Sequence, residues 1–416
     1  MAQGRQSFDQ GRFDEAYKQL YEAFVENPAD LDINFYLGRA AFESGRYEES
    51  VMAFERILIA DPNSQRVKLE LARAHLRLGS RELAKQYFKE VLAGNPPPQV
   101  WRNIQGFLDA IAASEQRHFM NGIFTVGVSH DDNVNVAPSN NTIDVNLGGV
   151  TFPVNIDQEK ISDEIYNTTL VANHIYKFED SPYTWKTTIV NYNDFYESQS
   201  VHDINFVSIA SGPVFQGKNY LWQVQGSGSL VDVEHDRYLS SWGLNSALVW
   251  SVDSTLALNV GIGGQQKNIY QDGDKDAKNY LFSAGPVFTL GQNRVSISFA
   301  GEYEDAARDY NSYGRLTGLV RYDRQLPYDL AAFASYRYQN TSYHEARPTD
   351  TLISSDKRSD DVHDLSCGLT MCLWQAQEKS RSLSGQISYT FTKAESNIGL
   401  YEYNKNVMAA ALSLSF

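Results

Sequence analysis

The chain has 416 residues, with 36 Lys and Arg against 51 Asp and Glu, a formal net charge of −15. That balance argues against nucleic acid as a partner, and no apolar run reaches the ~20 residues that a membrane-spanning helix needs. The acidic excess gathers in segments with loop composition: Asp131, Asp132, Asp157 and Glu159; Asp272, Asp274 and Asp276; Asp356, Asp360 and Asp361.

The first third repeats itself. Gly11, Gly45 and Gly79 lie 34 residues apart (11 + 34 = 45, 45 + 34 = 79), and Pro28, Pro62 and Pro96 keep the interval. So do the small residues Ala16, Ser50 and Ala84 and the apolar residues Leu20, Phe54 and Phe88. Several columns in one register at this period identify tetratricopeptide repeats, helical hairpins that bury their faces by stacking on one another. The first repeat is expected to be incomplete, its opening helix beginning before Met1, and an export leader is expected to have been lost from the chain. The segment Asn95–Val100 breaks the pattern. A last amphipathic helix should follow, with Val100, Trp101, Ile104, Phe107, Leu108 and Ile111 on its apolar side, capping the stack and resting against a barrel mouth. Residues 1–115 are assigned to the repeat domain, 116–121 to a junction and 122–416 to a barrel.

From about residue 122 the period becomes two. Leu256, Leu258, Val260 and Ile262 alternate with Thr255, Ala257, Asn259 and Gly261; Leu383, Gly385, Ile387, Tyr389 and Phe391 alternate with Ser384, Gln386, Ser388 and Thr390. Apolar residues outside and polar residues inside are what a closed transmembrane barrel requires, because every backbone group must be paired within the protein. Fourteen such segments are counted: 122–129, 165–178, 183–195, 202–215, 219–231, 238–252, 254–266, 279–290, 293–303, 313–325, 329–342, 363–375, 380–395 and 403–416. Short turns at 179–182, 216–218, 253, 291–292, 327–328 and 376–379 alternate with long polar loops at 130–164, 196–201, 232–237, 267–278, 304–312, 343–362 and 396–402. Short turns face the periplasm and long loops the exterior in such barrels. The predicted fold is therefore an α + β membrane protein: periplasmic tetratricopeptide repeats followed by a 14-stranded antiparallel barrel in a Gram-negative outer membrane.

The last strand ends on Phe416, after Met408, Ala410, Leu412 and Leu414 on the same face. A terminal aromatic is how bacterial outer-membrane barrels usually finish, and it is expected to be the assembly signal presented to the barrel assembly machinery.

The order of parts and one local element resemble the surface lipoprotein assembly modulators (Slam proteins), also described as type XI secretion. The element is Asp131, Asn133, Asn135 and Pro138, spaced as Asp-x-Asn-x-Asn-x-x-Pro after the first strand. The passage from helix to barrel is similar as well. The resemblance covers essentially the whole chain, and it implies delivery of lipid-anchored or soluble client proteins to the cell surface, with the repeats as periplasmic modulator. Members involved in host colonisation are also implied.

Within the repeats, Arg5, Arg39 and Arg73 recur at the 34-residue interval in the position that faces the concave groove. Phe8, Phe42 and Leu76 follow three residues later, and Arg77 completes the candidate client-binding set. A row of guanidinium groups is suited to carboxylates and carbonyls of an extended peptide; pairing with Asp9, Glu43 or neighbours is the alternative. Ser211-Gly212-Pro213-Val214-Phe215 is echoed by Ala284-Gly285-Pro286-Val287-Phe288. Pro213 and Pro286 should mark a bulge or a break in pairing at the rim, either a docking edge or a plain strand end.

The eight histidines show no metal-ligand spacing, and His174, on the apolar parity of its strand, points to a register error or a bulge. The acidic clusters Asp131-Asp132, Asp360-Asp361 and Glu302–Asp305 suit calcium or, more blandly, solvent. Cys367 and Cys372, five apart on one strand, point to opposite faces and are read as incidental. No nucleophile elbow, phosphate loop or dinucleotide turn is present, so no enzyme activity, cofactor or metal is expected. The expected partners are a client surface lipoprotein or secreted protein, outer-membrane lipids and the barrel assembly machinery, the protein itself being a monomer. The function reading is an outer-membrane translocation or assembly factor; the alternatives are a host-association or adhesion protein and a passive porin.

Overall fold

The protein, described here as a computed structural model, divides into two compact units, Met1–Gln116 and Arg117–Phe416. All residues are described except 141, 148–149, 157, 180 and 378–379. Asp157 therefore lies outside the described residues, as do parts of the turns expected at 179–182 and 376–379.

The first unit is seven helices: α1 (Ala2–Asp9), α2 (Phe13–Glu26), α3 (Leu31–Glu43), α4 (Tyr47–Ala60), α5 (Gln65–Arg77), α6 (Arg81–Ala93) and α7 (Pro98–Glu115). Gly11, Gly45 and Gly79 each turn a hairpin at φ of 75°, 78° and 79°, the left-handed region that costs glycine little. The helices cross where one of them carries no side chain. A Cβ on Gly38 would come within 2.7 Å of the Phe54 ring, and one on Gly4 within 2.6 Å of Leu20. Leu20 and Phe54 are fully buried at these crossings, and Phe88 is fully buried in the third repeat, where Ala72 takes the glycine's place. In α7, Ile104 and Ile111 are buried and Phe107 stacks on Phe88 at 5.2 Å, whereas Trp101 remains 47% exposed and off the core.

His75 is buried in α5 and stacks on Tyr87 at 5.7 Å. Burial pushes its pKa down, with Glu55 opposing. The unfolded chain, whose histidine titrates near 6.5, then takes up the proton more readily. This contribution to stability is complete above about pH 6.5 and is lost as pH falls below it. The helical circular-dichroism signal should accordingly melt at a lower temperature at about pH 5.5 than at about pH 7.5. His75→Phe, which keeps the stacking, should remove that part of the difference.

The second unit is built from sixteen strands: β1 (His118–Asp131), β2 (Thr142–Leu147), β3 (Val150–Asn155), β4 (Asp163–Lys177), β5 (Tyr183–Tyr196), β6 (Ile204–Gln216), β7 (Tyr220–Val233), β8 (Asp236–Ser251), β9 (Leu256–Ile269), β10 (Ala277–Leu290), β11 (Asn293–Ala306), β12 (Tyr313–Leu326), β13 (Leu330–Tyr343), β14 (Ser359–Gln375), β15 (Ser382–Ser396) and β16 (Tyr403–Ser415). Fourteen close into an antiparallel barrel in sequence order, β4 to β16 with β1 between its ends; β2 and β3 form a separate hairpin. Outward positions carry the exposed apolar side chains, among them Trp242, Leu244, Ile262, Phe299, Leu316 and Met408, each at least 60% exposed. The inward faces carry hydroxyls, amides and charges, tied in pairs such as Thr125–Ser413 and Ser229–Ser241.

Several expectations need correction. β1 starts at His118, so most of the segment assigned to a junction at 116–121 is already strand. The loop at 130–164 contains the β2–β3 hairpin. The long loop expected at 232–237 is a two-residue turn, Glu234 and His235 at φ of 50° and 69°, the paired left-handed turn that suits a twisted hairpin. His174 marks neither bulge nor slip. It pairs in unbroken register with Met120 and Thr187, and its ring lies against His118, nitrogen to nitrogen at 3.0 Å.

The remaining long loops fold by a shared device. Each contains a short 3₁₀ turn, at Ser200–His202, Gly273–Lys275, Asp309–Asn311, Asp350–Leu352 or Gly399–Tyr401. In three of them the residue after the turn reaches back to a backbone N–H at a strand end: Asp203 accepts from Tyr196, Asp276 from Ile269 and Ser312 from Ala306.

Candidate functional site

Asp131 and Pro138 bracket a knot at the long-loop end of β1 and β16. Asp131, 4% exposed, accepts from the Asn133 N–H at 2.9 Å and from Lys405 Nζ at 2.8 Å. Asn133 is fully buried; its amide donates to the carbonyls of Ala137 (3.1 Å) and Asn404 (3.0 Å) and accepts from Ala137 N–H (2.8 Å). Asn135 holds the far end of the same loop, donating to the Glu159 carbonyl and accepting from the Ile161 N–H. Val136 adopts φ of 51° so that the chain turns back before Pro138. Asp132 accepts from both the backbone and side-chain nitrogens of Asn406, each at 2.7 Å. Burial pushes the Asp132 carboxyl up, but those two bonds, with Lys160 and His130 nearby, outweigh it and hold its pKa below the usual carboxylate range.

The element is therefore a clasp that ties the first long loop to the strand closing the barrel. Its partners Asn404, Lys405 and Asn406 were not singled out from sequence, and no local signal joins positions 271 or more residues apart. The acidic clusters are similarly engaged: Asp360 with Arg358, Asp361 with Tyr338 and Asn340, Glu302 with Arg315 and Asn279. Asp163, Glu164 and Glu197 bring three carboxylates within 4.8 Å of one another. Asp163, however, accepts from the N–H groups of Glu164, Ser198 and Gln199, and Glu164 pairs with His130.

The three arginines of the repeats do form a row, interleaved with rings and acids. Arg5 lies over Tyr36 at 4.4 Å, Arg39 over Phe8 at 4.8 Å and Arg73 over Phe42 at 4.7 Å. Glu70 sits between the second and third, 2.8 Å from Arg73 and 3.9 Å from Arg39, and Glu43 approaches Arg73 at 4.0 Å. The side chains of Arg39 and Arg73 keep 30% and 31% exposure. Phe42 is buried, and Phe8 packs on Phe13 and Tyr36, so both rings support the arginines from beneath. Arg77 is exposed in the last turn of α5 and is not part of this row. Tyr36 and Glu70, neither singled out from sequence, occupy one repeat column (36 + 34 = 70) beside the arginines.

Pro213 and Pro286 lie within strands, each where pairing lapses on one side only. β6 pairs with β7 at Ser211 and again at Val214; β10 pairs with β11 at Ala284 and again at Val287, in unchanged register. The preceding glycines are pressed against the neighbouring strand: a Cβ at Gly212 would meet the Val224 carbonyl at 2.0 Å, and one at Gly285 the Ile297 carbonyl at 1.9 Å. These are breaks in pairing, not bulges. Phe416 makes the last rung of the barrel, exchanging N–H···O bonds with Gly122 at 3.0 and 2.8 Å.

Residues 121–416 match the family described as surface lipoprotein assembly modifier. The chain belongs to that family. The repeats of this surface lipoprotein assembly modifier match two tetratricopeptide families over residues 1–65 and 41–104. No curated protein matches it. Among solved structures, PcrH in complex with the chaperone-binding region of PopD is 24% identical (TM-score 0.26) over 28% of this chain and 90% of that one. The type III secretion translocator chaperone SycD of Yersinia enterocolitica is 18% identical (TM-score 0.26) over 28% and 90%. MamA AMB-1 is 27% identical (TM-score 0.21) over 22% of this chain and 53% of that one.

Proposed function

We propose that this modifier delivers client polypeptides, lipid-anchored ones foremost, to the cell surface. The barrel spans the outer membrane, its short turns and the repeat unit face the periplasm, and the arginine row engages the client or a chaperone carrying it. One observation carries the reading: a tetratricopeptide unit is covalently joined to the start of β1, at the short-turn end of a closed barrel of the surface lipoprotein assembly modifier family. A passive pore would give that unit no task. The apolar outward face supports insertion in a bilayer, where alternate residues meet lipid. The test is display of an epitope-tagged lipoprotein on intact cells with and without the protein; equal display would sink the reading.

The arginine row has its own test. Changing Arg5, Arg39 and Arg73 together to Ala should lower display while leaving barrel amount and helicity unchanged. Lys at the same positions should restore it only in part, since the charge returns without the planar fork. Glu70 competes for two of these guanidinium groups, so Glu70→Gln should tighten capture of an acidic peptide. If the arginines serve only the packing of the repeats, Glu70→Gln will lower helical stability and leave peptide capture unchanged.

A further inference from the structure

Resting on the delivery reading above, we propose that the β1–β16 seam is the lateral route for the lipid anchor of an acylated client, with the polypeptide in the lumen and its acyl chains outside.

The seam is the pair of barrel neighbours that no loop joins. Its ladder runs over nine positions of each strand, 123–131 against 407–415, with one further rung at either end, Gly122–Phe416 and Asp132–Asn406. Other neighbouring pairs span at least twelve, for example β5–β6 and β11–β12. Its side-chain ties are also unevenly placed. At the long-loop end the clasp binds Asp131 to Lys405 and Asp132 to Asn406. Below it the lumen side of the seam holds one side-chain bond among the described residues, between the hydroxyls of Thr125 and Ser413. β14–β15 is crossed by Thr392–Asp364 and Ser366–Thr390, whereas among the described residues no side-chain bond crosses β6–β7 or β8–β9, so what sets the seam apart is the missing loop, the short ladder and the placing of its ties at one end.

Beside the seam, on the outward face, lies a trough of about 620 Å³. Val126 and Leu412 form one bank, Leu369 and Met371 the other, and Gly385 and Ala410 lie between them. The lumen, lined by ion pairs, is unsuited to an acyl chain, whose every methylene gains by staying out of water. An anchor that keeps to lipid while its polypeptide crosses the lumen needs a slit between the two, and the trough places apolar surface at such a slit. Parting the strands would strand backbone N–H and C=O groups in lipid. An extended segment behind the acylated residue supplies the missing partners by strand addition. The clasp would serve as the hinge, with opening from the Phe416 end.

The experiment locks the seam. In a Cys367→Ser, Cys372→Ser background, Thr125→Cys with Ser413→Cys places two thiols across a non-hydrogen-bonded pair, where cross-strand Cβ atoms approach closely. Ser366→Cys with Thr390→Cys, whose native hydroxyls are 3.0 Å apart, is the matched lock between β14 and β15. The probe is an epitope-tagged triacylated lipoprotein on intact cells. With the seam oxidised, display should fall to that of cells lacking the protein and return on reduction; the β14–β15 lock should leave it unchanged. Full display with the seam oxidised, or equal loss from the β14–β15 lock, overturns the route. If the first pair lowers barrel yield, Ser129→Cys with Ala409→Cys makes the same lock four positions along. If reduced cells display the probe no better than cells lacking the protein, the delivery reading itself fails, and the route with it.

Discussion

Asn133→Asp should loosen the first long loop more than Asn133→Ala does, although it is the smaller change in shape. The Asn133 amide faces two carbonyls, those of Ala137 and Asn404, and accepts from one N–H, all in a site closed to solvent. Alanine leaves these backbone groups unpaired, at about 1–3 kcal/mol for each buried group that finds no water. Aspartate keeps the acceptor but turns an anion toward two carbonyl oxygens, with burial opposing its charge. The temperature at which the barrel loses its heat-modifiable form in detergent gels should rank wild type above Asn135→Ala, then Asn133→Ala, then Asn133→Asp. Asn135 is more accessible and binds only within its own loop, so its loss is expected to be mild. A reversed order of the two Asn133 variants would show that the amide protons are not what the site requires.

Deleting Phe416, or changing it to Glu, should sharply lower the yield of closed barrel. Deletion removes both bonds to Gly122 and leaves that residue's N–H and carbonyl on an open edge, where strands meet wrong partners. Two backbone bonds are worth roughly 1–3 kcal/mol in water and more where lipid replaces water. The ring adds its own contact. It covers Gly122 so closely that an added Cβ would sit 2.7 Å from Cζ, and equally close to the Val171 carbonyl. Gly122→Ala should therefore reproduce part of the defect from the other strand, while Phe416→Tyr retains most of the yield. Unaltered heat-modifiable barrel from the deletion would remove any closing role from this residue.

The parts legible in the sequence are those in which one physical constraint repeats. Gly11, Gly45 and Gly79 announce the repeats because each hairpin needs the same left-handed turn. Trp242, Leu244, Leu248 and Trp250 announce a strand because one face is apolar and the other is not. Toward the long-loop end both faces become polar, the alternation fades, and strand limits were lost with it: β14 begins at Ser359 where a start at 363 was expected. The β2–β3 hairpin was hidden for the same reason, although Ile143 and Val145 opposite Val154 and Phe152 carry a short alternation. The arginine column could be read, but not that Glu70 would stand between two of its members. Asn133 was readable as part of an element and not as a buried clasp, since its partner carbonyl is 271 residues away.

The charges inside the barrel have a consequence for ions. Lys267 faces Glu304, Arg315 faces Glu302, Arg321 lies beside Asp323, and Arg337 meets Asp364. These four carboxylates each carry a cation, while Asp194 on β5 is bonded to the Tyr192 hydroxyl instead, so little of the chain's acidity gathers into a ring of uncompensated charge there. Selectivity filters depend on such rings. Under a salt gradient, any current through this lumen should reverse near zero voltage, with little preference between cations and anions. Arg315→Gln, by freeing Glu302, should then shift the reversal potential toward that of cations.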